Sequence, residues 1–177
     1  MKLYRILFGV VLILGFALGY KGFIKYYPNL LFKGAERKIG GAENTIRLGD
    51  LPDHKSQMIV KPNPDFMYVS CFFNLEDGPL NLSANISSSN YWSVAFYEPN
   101  TVNFYVKNDE QFQSNKLNLL IADKGKLPQK VDKDIELIES KTKKGLILFR
   151  FLVNSSDVDD VNKIKQIQKS IEIKRVD

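Results

Sequence analysis

His54, Cys71 and Asp65 are the residues of this sequence with the most versatile chemistry. His54 is the single histidine, beside Asp53 in a polar stretch after Pro52. An imidazole with an ordinary pKa near neutrality serves as a general base when a substrate proton lies within reach, and is an exposed loop residue otherwise. Cys71 is the single cysteine, which excludes an intramolecular disulfide. It would be a nucleophile if a neighbouring cation lowered its pKa, but it alternates in phase with Met67, Val69 and Phe73, the pattern of a small buried side chain. One histidine and one cysteine are too few ligands for an ordinary zinc site. Asp157, Asp159 and Asp160 lack the spaced glycine and closing glutamate of a calcium loop, and suit the positive end of a helix instead. No glycine-rich phosphate loop or Gly-x-Ser-x-Gly elbow occurs, and neither a metal nor a cofactor is expected.

Binding is the gentler chemistry on offer. Asn63 and Asp65 flank Pro64, where short polar side chains cap a turn or meet a ligand. Tyr68, Tyr91, Tyr97 and Tyr105 lie on candidate neighbouring strands, and Tyr91, Tyr97 and Tyr105 are expected to share the face turned away from the core. The expected ligand-binding set is Asn63, Asp65, Tyr68, Tyr91, Tyr97 and Tyr105, with no catalytic residue assigned.

These residues need a scaffold, and from Phe66 the hydrophobic period is two. Met67, Val69, Cys71, Phe73 and Leu75 form one phase; Asp77-Gly78-Pro79 is a turn; Leu80, Leu82, Ala84 and Ile86 form the next. Trp92, Val94 and Phe96, then Val102, Phe104 and Val106, continue the pattern, with further strands at residues 117–122, 135–138 and 145–153. The run over 146–152 is apolar except for Arg150. Short strands separated by turn residues predict a mainly β domain, an antiparallel sandwich-like or barrel-like fold. Ser155 and Ser156 offer an N-cap, and Val158, Val161, Ile164, Ile167 and Ile171 recur at helical spacing, predicting a C-terminal amphipathic helix.

The other end of the chain has different physics. From Ile6 to Tyr20 every residue is apolar or glycine. Extended from Leu3 to Ile24, with Lys21 snorkelling to the headgroups, a helix spans about 33 Å and crosses a bilayer of roughly 30 Å. A single N-terminal transmembrane helix is therefore expected over residues 1–27, followed by a break at Pro28, a connector over 28–44 and a β-rich domain over 45–177. A cleaved secretory signal competes, because Ala17 and Gly19 have cleavage-site spacing; Tyr20, Lys21 and the apolar continuation through Phe23 and Ile24 argue against it. Lys2, Arg5, Lys21 and Lys25 flank this segment without an acid and account for most of the net charge of +5. The remaining charges alternate in sign, so no nucleic-acid partner is expected.

Asn63-Pro64-Asp65-Phe66-Met67-Tyr68-Val69-Ser70, followed by Leu75-Glu76-Asp77-Gly78-Pro79-Leu80, resembles the domain of unknown function 1254 family. Tyr91-Trp92-Ser93-Val94-Ala95-Phe96-Tyr97 and Asn103-Phe104-Tyr105 with Asn108-Asp109 are similar to its following segments. Phe66 stands where longer members commonly carry threonine, so a role for that hydroxyl does not transfer. The resemblance is closest to a short, membrane-anchored bacterial branch; it implies a β-rich sandwich-like fold and brings no established reaction. The expected protein is a non-catalytic binding or interaction module of the cell envelope. Its expected place is the bacterial inner membrane with the domain facing the periplasm, and its expected partners are the lipid bilayer and an envelope protein. The alternative is an enzyme acting on an envelope substrate, with His54, Asp65 or Cys71 in one cleft.

Overall fold

The alternating apolar phases stack as two sheets in a computed structural model, which describes residues 2–39, 42–53, 56, 62–88, 90–112, 114–154 and 158–176. In chain order the elements are α1 (Lys2–Ile39), β1 (Arg47–Leu48), β2 (Phe66–Asn74), β3 (Leu80–Asn85), β4 (Trp92–Tyr97), β5 (Asn103–Asn108), β6 (Lys116–Asp123), β7 (Glu136–Ser140), β8 (Lys144–Leu152), α2 (Val158–Lys169) and β9 (Glu172–Arg175). One sheet has the order β1-β2-β8-β4-β5 and the other β7-β6-β3-β9. Neighbours run antiparallel except β6 and β7, which are parallel. The fold is a sandwich.

Register explains why one phase of each strand is buried. Met67, Val69 and Cys71 of β2 oppose Phe151, Phe149 and Ile147 of β8, and Trp92, Val94 and Phe96 of β4 continue that layer. Leu80, Leu82 and Ala84 of β3 oppose Ile121, Leu119 and Leu117 of β6 in the facing sheet. These side chains form one core, each full burial of a Leu, Ile or Phe contributing about 1.5–3 kcal/mol. Phe73 is paired with Gly145. A Cβ on Gly145 would come within 2.4 Å of both Phe73 Cζ and the Tyr97 carbonyl oxygen, so only glycine fits beneath that ring.

Helix α2 joins the core through Ile164 and Ile167, and buried Gln168 donates from Nε2 to the Gly49 carbonyl at 3.0 Å and the Tyr68 carbonyl at 3.3 Å. The helix ends at Lys169, so Ile171 reaches the core from beyond it and the chain finishes in β9. The N-cap expected at Ser155 and Ser156, with Asp157, lies outside the described residues.

The break expected at Pro28 does not occur, because α1 continues through it to Ile39. Proline removes one helical N–H and crowds the carbonyl four residues back, at a cost of about 3 kcal/mol, yet a long helix with good formers on both sides survives one such fault. Most of the region expected as connector is therefore helical. At 1.5 Å per residue α1 is about 57 Å long, well beyond the roughly 30 Å hydrocarbon layer. Its last turns meet the sandwich where Phe32 packs edge-on to Phe72, ring centroids 5.4 Å apart.

Candidate functional site

The outer face of the five-stranded sheet holds the chemistry. On β2 that phase carries Phe66, Tyr68, Ser70 and Phe72, and on β8 it carries Leu146, Leu148, Arg150 and Leu152. Opposite residues on antiparallel strands project to the same side, so the register defines a row across four strands: Tyr68 opposite Arg150, Arg150 opposite Ser93, and Ser93 opposite Asn108. At roughly 4.8 Å per strand the row is about 14 Å long.

Three polar atoms of this row are buried without a hydrogen-bond partner: Arg150 Nε, Ser93 Oγ and Asn108 Oδ1. A fourth, Asp109 Oδ1, belongs to the 3-10 turn Asp109–Gln111 that follows β5. Ser93 is 1% exposed, deep enough that an unmade hydrogen bond costs about 1–3 kcal/mol. No carboxylate among the described residues pairs with Arg150. Its surroundings are apolar and aromatic. Phe66 lies 6.4 Å from Tyr68 and 6.2 Å, edge-on, from Tyr91. Tyr91 remains 40% exposed and opens this corner to solvent.

Some of the expected binding residues converge on that corner. Asn63 Oδ1 accepts from the Asp65 N–H at 2.9 Å, a turn-capping bond, while the Asn63 N–H donates to the Tyr68 hydroxyl at 3.2 Å. Asp65 contributes its carbonyl, which accepts from the Val153 N–H at 2.8 Å, and leaves its carboxylate exposed. The Tyr91 carbonyl accepts from the Leu152 N–H at 2.9 Å and so ties the corner to β8.

Two tyrosines do not converge. Tyr97 sits opposite Leu146, six residues and about 20 Å along the strand direction from Tyr91. Tyr105 is not on the outer face at all. It opposes Phe96, stacks on it edge-on at 5.3 Å, and donates to Glu136 Oε1 at 3.2 Å in the facing sheet. Burial, reinforced by the Glu136 charge, pushes its phenol well above the usual range. The expected phase of β5 fails because the inner positions of this edge strand are Tyr105 and Lys107, which pair with Glu136, while Val106 faces out. A bulge between Phe96 and Tyr97 shifts the register there.

The alternative catalytic set does not assemble from its described members. Cys71 is 1% exposed in the core, and burial pushes its thiol up to about 12 against a lowering influence from Arg47. Asp65 lies six residues away, about 20 Å along the strand. His54 is outside the described residues. Asp160 accepts from Asn90 Nδ2 at 3.0 Å and from the Asn154 N–H at 3.0 Å, binding the start of α2 to two loops. No cluster able to hold a metal ion occurs among the described residues.

Arg150, Ser93 and Asn108 were missed as site residues. Arg150 carried a signal, as the lone charge in an apolar strand, but its neighbours depend on register.

Residues 43–175 match the family described as Protein of unknown function (DUF1254). No curated protein matches the chain. Among solved structures, the VPA0106 protein from Vibrio parahaemolyticus is similar in fold, with a TM-score of 0.57 at 10% identity over 64% of this chain and 28% of that one. An uncharacterized protein from Burkholderia cenocepacia gives a TM-score of 0.48 at 10% identity over 90% of this chain and 42% of that one. The chain thus spans less than half the length of either protein.

Proposed function

We propose that this chain, which belongs to the DUF1254 family of unknown function, is a membrane-tethered, non-catalytic binding module of the bacterial cell envelope. The carrying observation is α1, whose most apolar 18-residue window has a mean hydropathy of 2.0 and is 0% buried. A helix apolar on all faces and bare of protein is stable only if something else covers it, and lipid does so along its whole circumference. Continuity from Leu3 to Ile39 supports retention over cleavage, since a cut after Gly19 would divide the helix and leave Phe23, Ile24, Tyr26 and Tyr27 in water.

Lys2 and Arg5 hold the amino terminus in the cytoplasm and put the sandwich in the periplasm, with Lys21 and Lys25 opposing this bias. An envelope protein docks on the exposed aromatic corner of Phe66, Tyr68 and Tyr91. Alkaline extraction of membranes, protease digestion of intact and permeabilised cells, and the mass of the mature N-terminus test the tether. Resistance to extraction, digestion only after outer-membrane permeabilisation and an intact N-terminus are expected; release into the soluble fraction would overturn it. A photo-crosslinker at position 91 tests the partner, and absence of any adduct in intact cells would sink that part.

A further inference from the structure

We infer that the row Tyr68–Arg150–Ser93 is a binding site for an oxyanion, a carboxylate or phosphate carried on an aromatic or aliphatic body. This rests on the reading of the outer aromatic corner as a binding surface and gives it a chemical specificity.

The inference starts from an imbalance. A guanidinium on a central strand, flanked by aliphatic and aromatic side chains, has no counter-ion among the described residues, and its Nε–H is shielded from solvent without an acceptor. Directly across the ladder, the Ser93 hydroxyl is equally buried and equally without a partner. Both groups can donate to the same oxygen-bearing group, because opposite positions on neighbouring antiparallel strands bring their side chains within about 5 Å at Cβ. An oxyanion placed between them accepts from Arg150 and from Ser93, and charge-assisted bonds of this kind are about twice as strong as neutral ones.

The rest of the row fits a ligand more than a lone ion. The Tyr68 hydroxyl accepts from the Asn63 N–H, which leaves its own proton to donate. Phe66, Tyr91 and Leu152 supply apolar contact for the body of the ligand. The ring contact between α1 and the sheet lies at Phe72, whose partner Leu146 is four residues, about 13 Å, from Arg150, while Tyr91 at this end stays 40% exposed.

The test uses the full chain in phosphatidylcholine nanodiscs, with mandelate, phenyl phosphate and neutral benzyl alcohol as probes. Saturable movement of the Arg150 Nε–H resonance by either anion, and not by the alcohol, is expected; the tighter of the two anions identifies the carboxylate or phosphate source. R150M should abolish binding seen at the Leu148 and Leu152 amides, and S93A should weaken it at least about tenfold. Should R150M fail to fold, R150K keeps the charge without the planar fork and should also weaken binding at least about tenfold. The proposal is overturned if no anion moves the resonance, if binding survives R150M, if benzyl alcohol binds equally, or if a structural water alone is found between Arg150 and Ser93. Cross-linking from position 91 is read separately, in intact cells. Intact cross-links without anion binding overturn this site and leave the tethered module standing; anion binding without cross-links sustains the site and overturns the protein partner.

Discussion

The two outer faces of the sandwich come from the same kind of alternating strand and end in opposite states. On the four-stranded sheet the outer phase is Asn81, Ser83 and Asn85 of β3 against Leu120, Asn118 and Lys116 of β6, and its polar members line an open groove of about 830 Å³. Its polar groups find one another: Asn81 Nδ2 donates to Asn118 Oδ1 at 2.8 Å. On the five-stranded sheet the outer phase is mostly apolar, and the few polar atoms set into it, Arg150 Nε and Ser93 Oγ, are buried without partners. A wet polar face costs little to leave open, whereas an orphaned donor in an apolar setting costs about 1–3 kcal/mol unless something outside the chain completes it. The difference separates a face whose polar groups pair with one another from one that leaves polar atoms unpaired.

The sharpest way to break the comparison is Gly145→Ala. The new methyl would meet the Phe73 ring and the Tyr97 carbonyl at 2.4 Å, so a loss of about 3 kcal/mol or more is expected in urea unfolding, with strand β8 and the Arg150 row displaced together. Next comes Gln168→Leu, which leaves the Gly49 carbonyl without its side-chain donor; a loss of about 1–3 kcal/mol is expected, visible as faster amide exchange in β1. Unchanged exchange there would show that α2 does not hold that edge.

A matched pair then tests the two faces directly. Ser93→Ala removes an orphan and is expected to stabilise the free protein by about 1 kcal/mol, while Asn81→Ala breaks a made bond and is expected to destabilise it by about 1 kcal/mol. Equal signs in the two melts would erase the distinction between the faces.

The smallest effect concerns the end of the five-stranded sheet where β2 meets β8, at Asn74 and Lys144. Glu43 bonds Lys144 at 2.6 Å, and Lys144, then Asn74, hold its carboxyl below the ordinary value. A depressed folded pKa contributes stability present above the unfolded value near 4.5 and lost as pH falls through the folded one. Because the two side chains are 45% and 35% exposed, solvent screening should keep the loss under about 1 kcal/mol, and it should disappear in Glu43→Gln. A larger acid effect that survives the substitution would assign it to another group.

Much of the scaffold was legible because a period of two is written in residue order. The inner phases of β2, β3 and β4, the Asp77-Gly78-Pro79 turn with Gly78 at φ +133°, and the burial of Cys71 all follow from it. β1 has only two residues and β9 only four, too short for a pattern to declare itself. Tyr105 was misplaced because a one-residue shift in an edge strand exchanges its two faces, and nothing near Tyr105 in sequence announces Glu136 as its partner.

By itself the sequence determined the apolar N-terminal helix, the β-rich class and the side chains that carry chemistry, since each depends on side-chain type and local spacing. Tertiary structure alone decided which of them meet. Arg150 and Ser93 are 57 positions apart in the chain and face each other only because β8 lies between β2 and β4, in one register out of many that the apolar pattern would allow. A hydrogen bond left unmade is likewise a property of three-dimensional neighbours, so the orphaned row was invisible until the strands were paired.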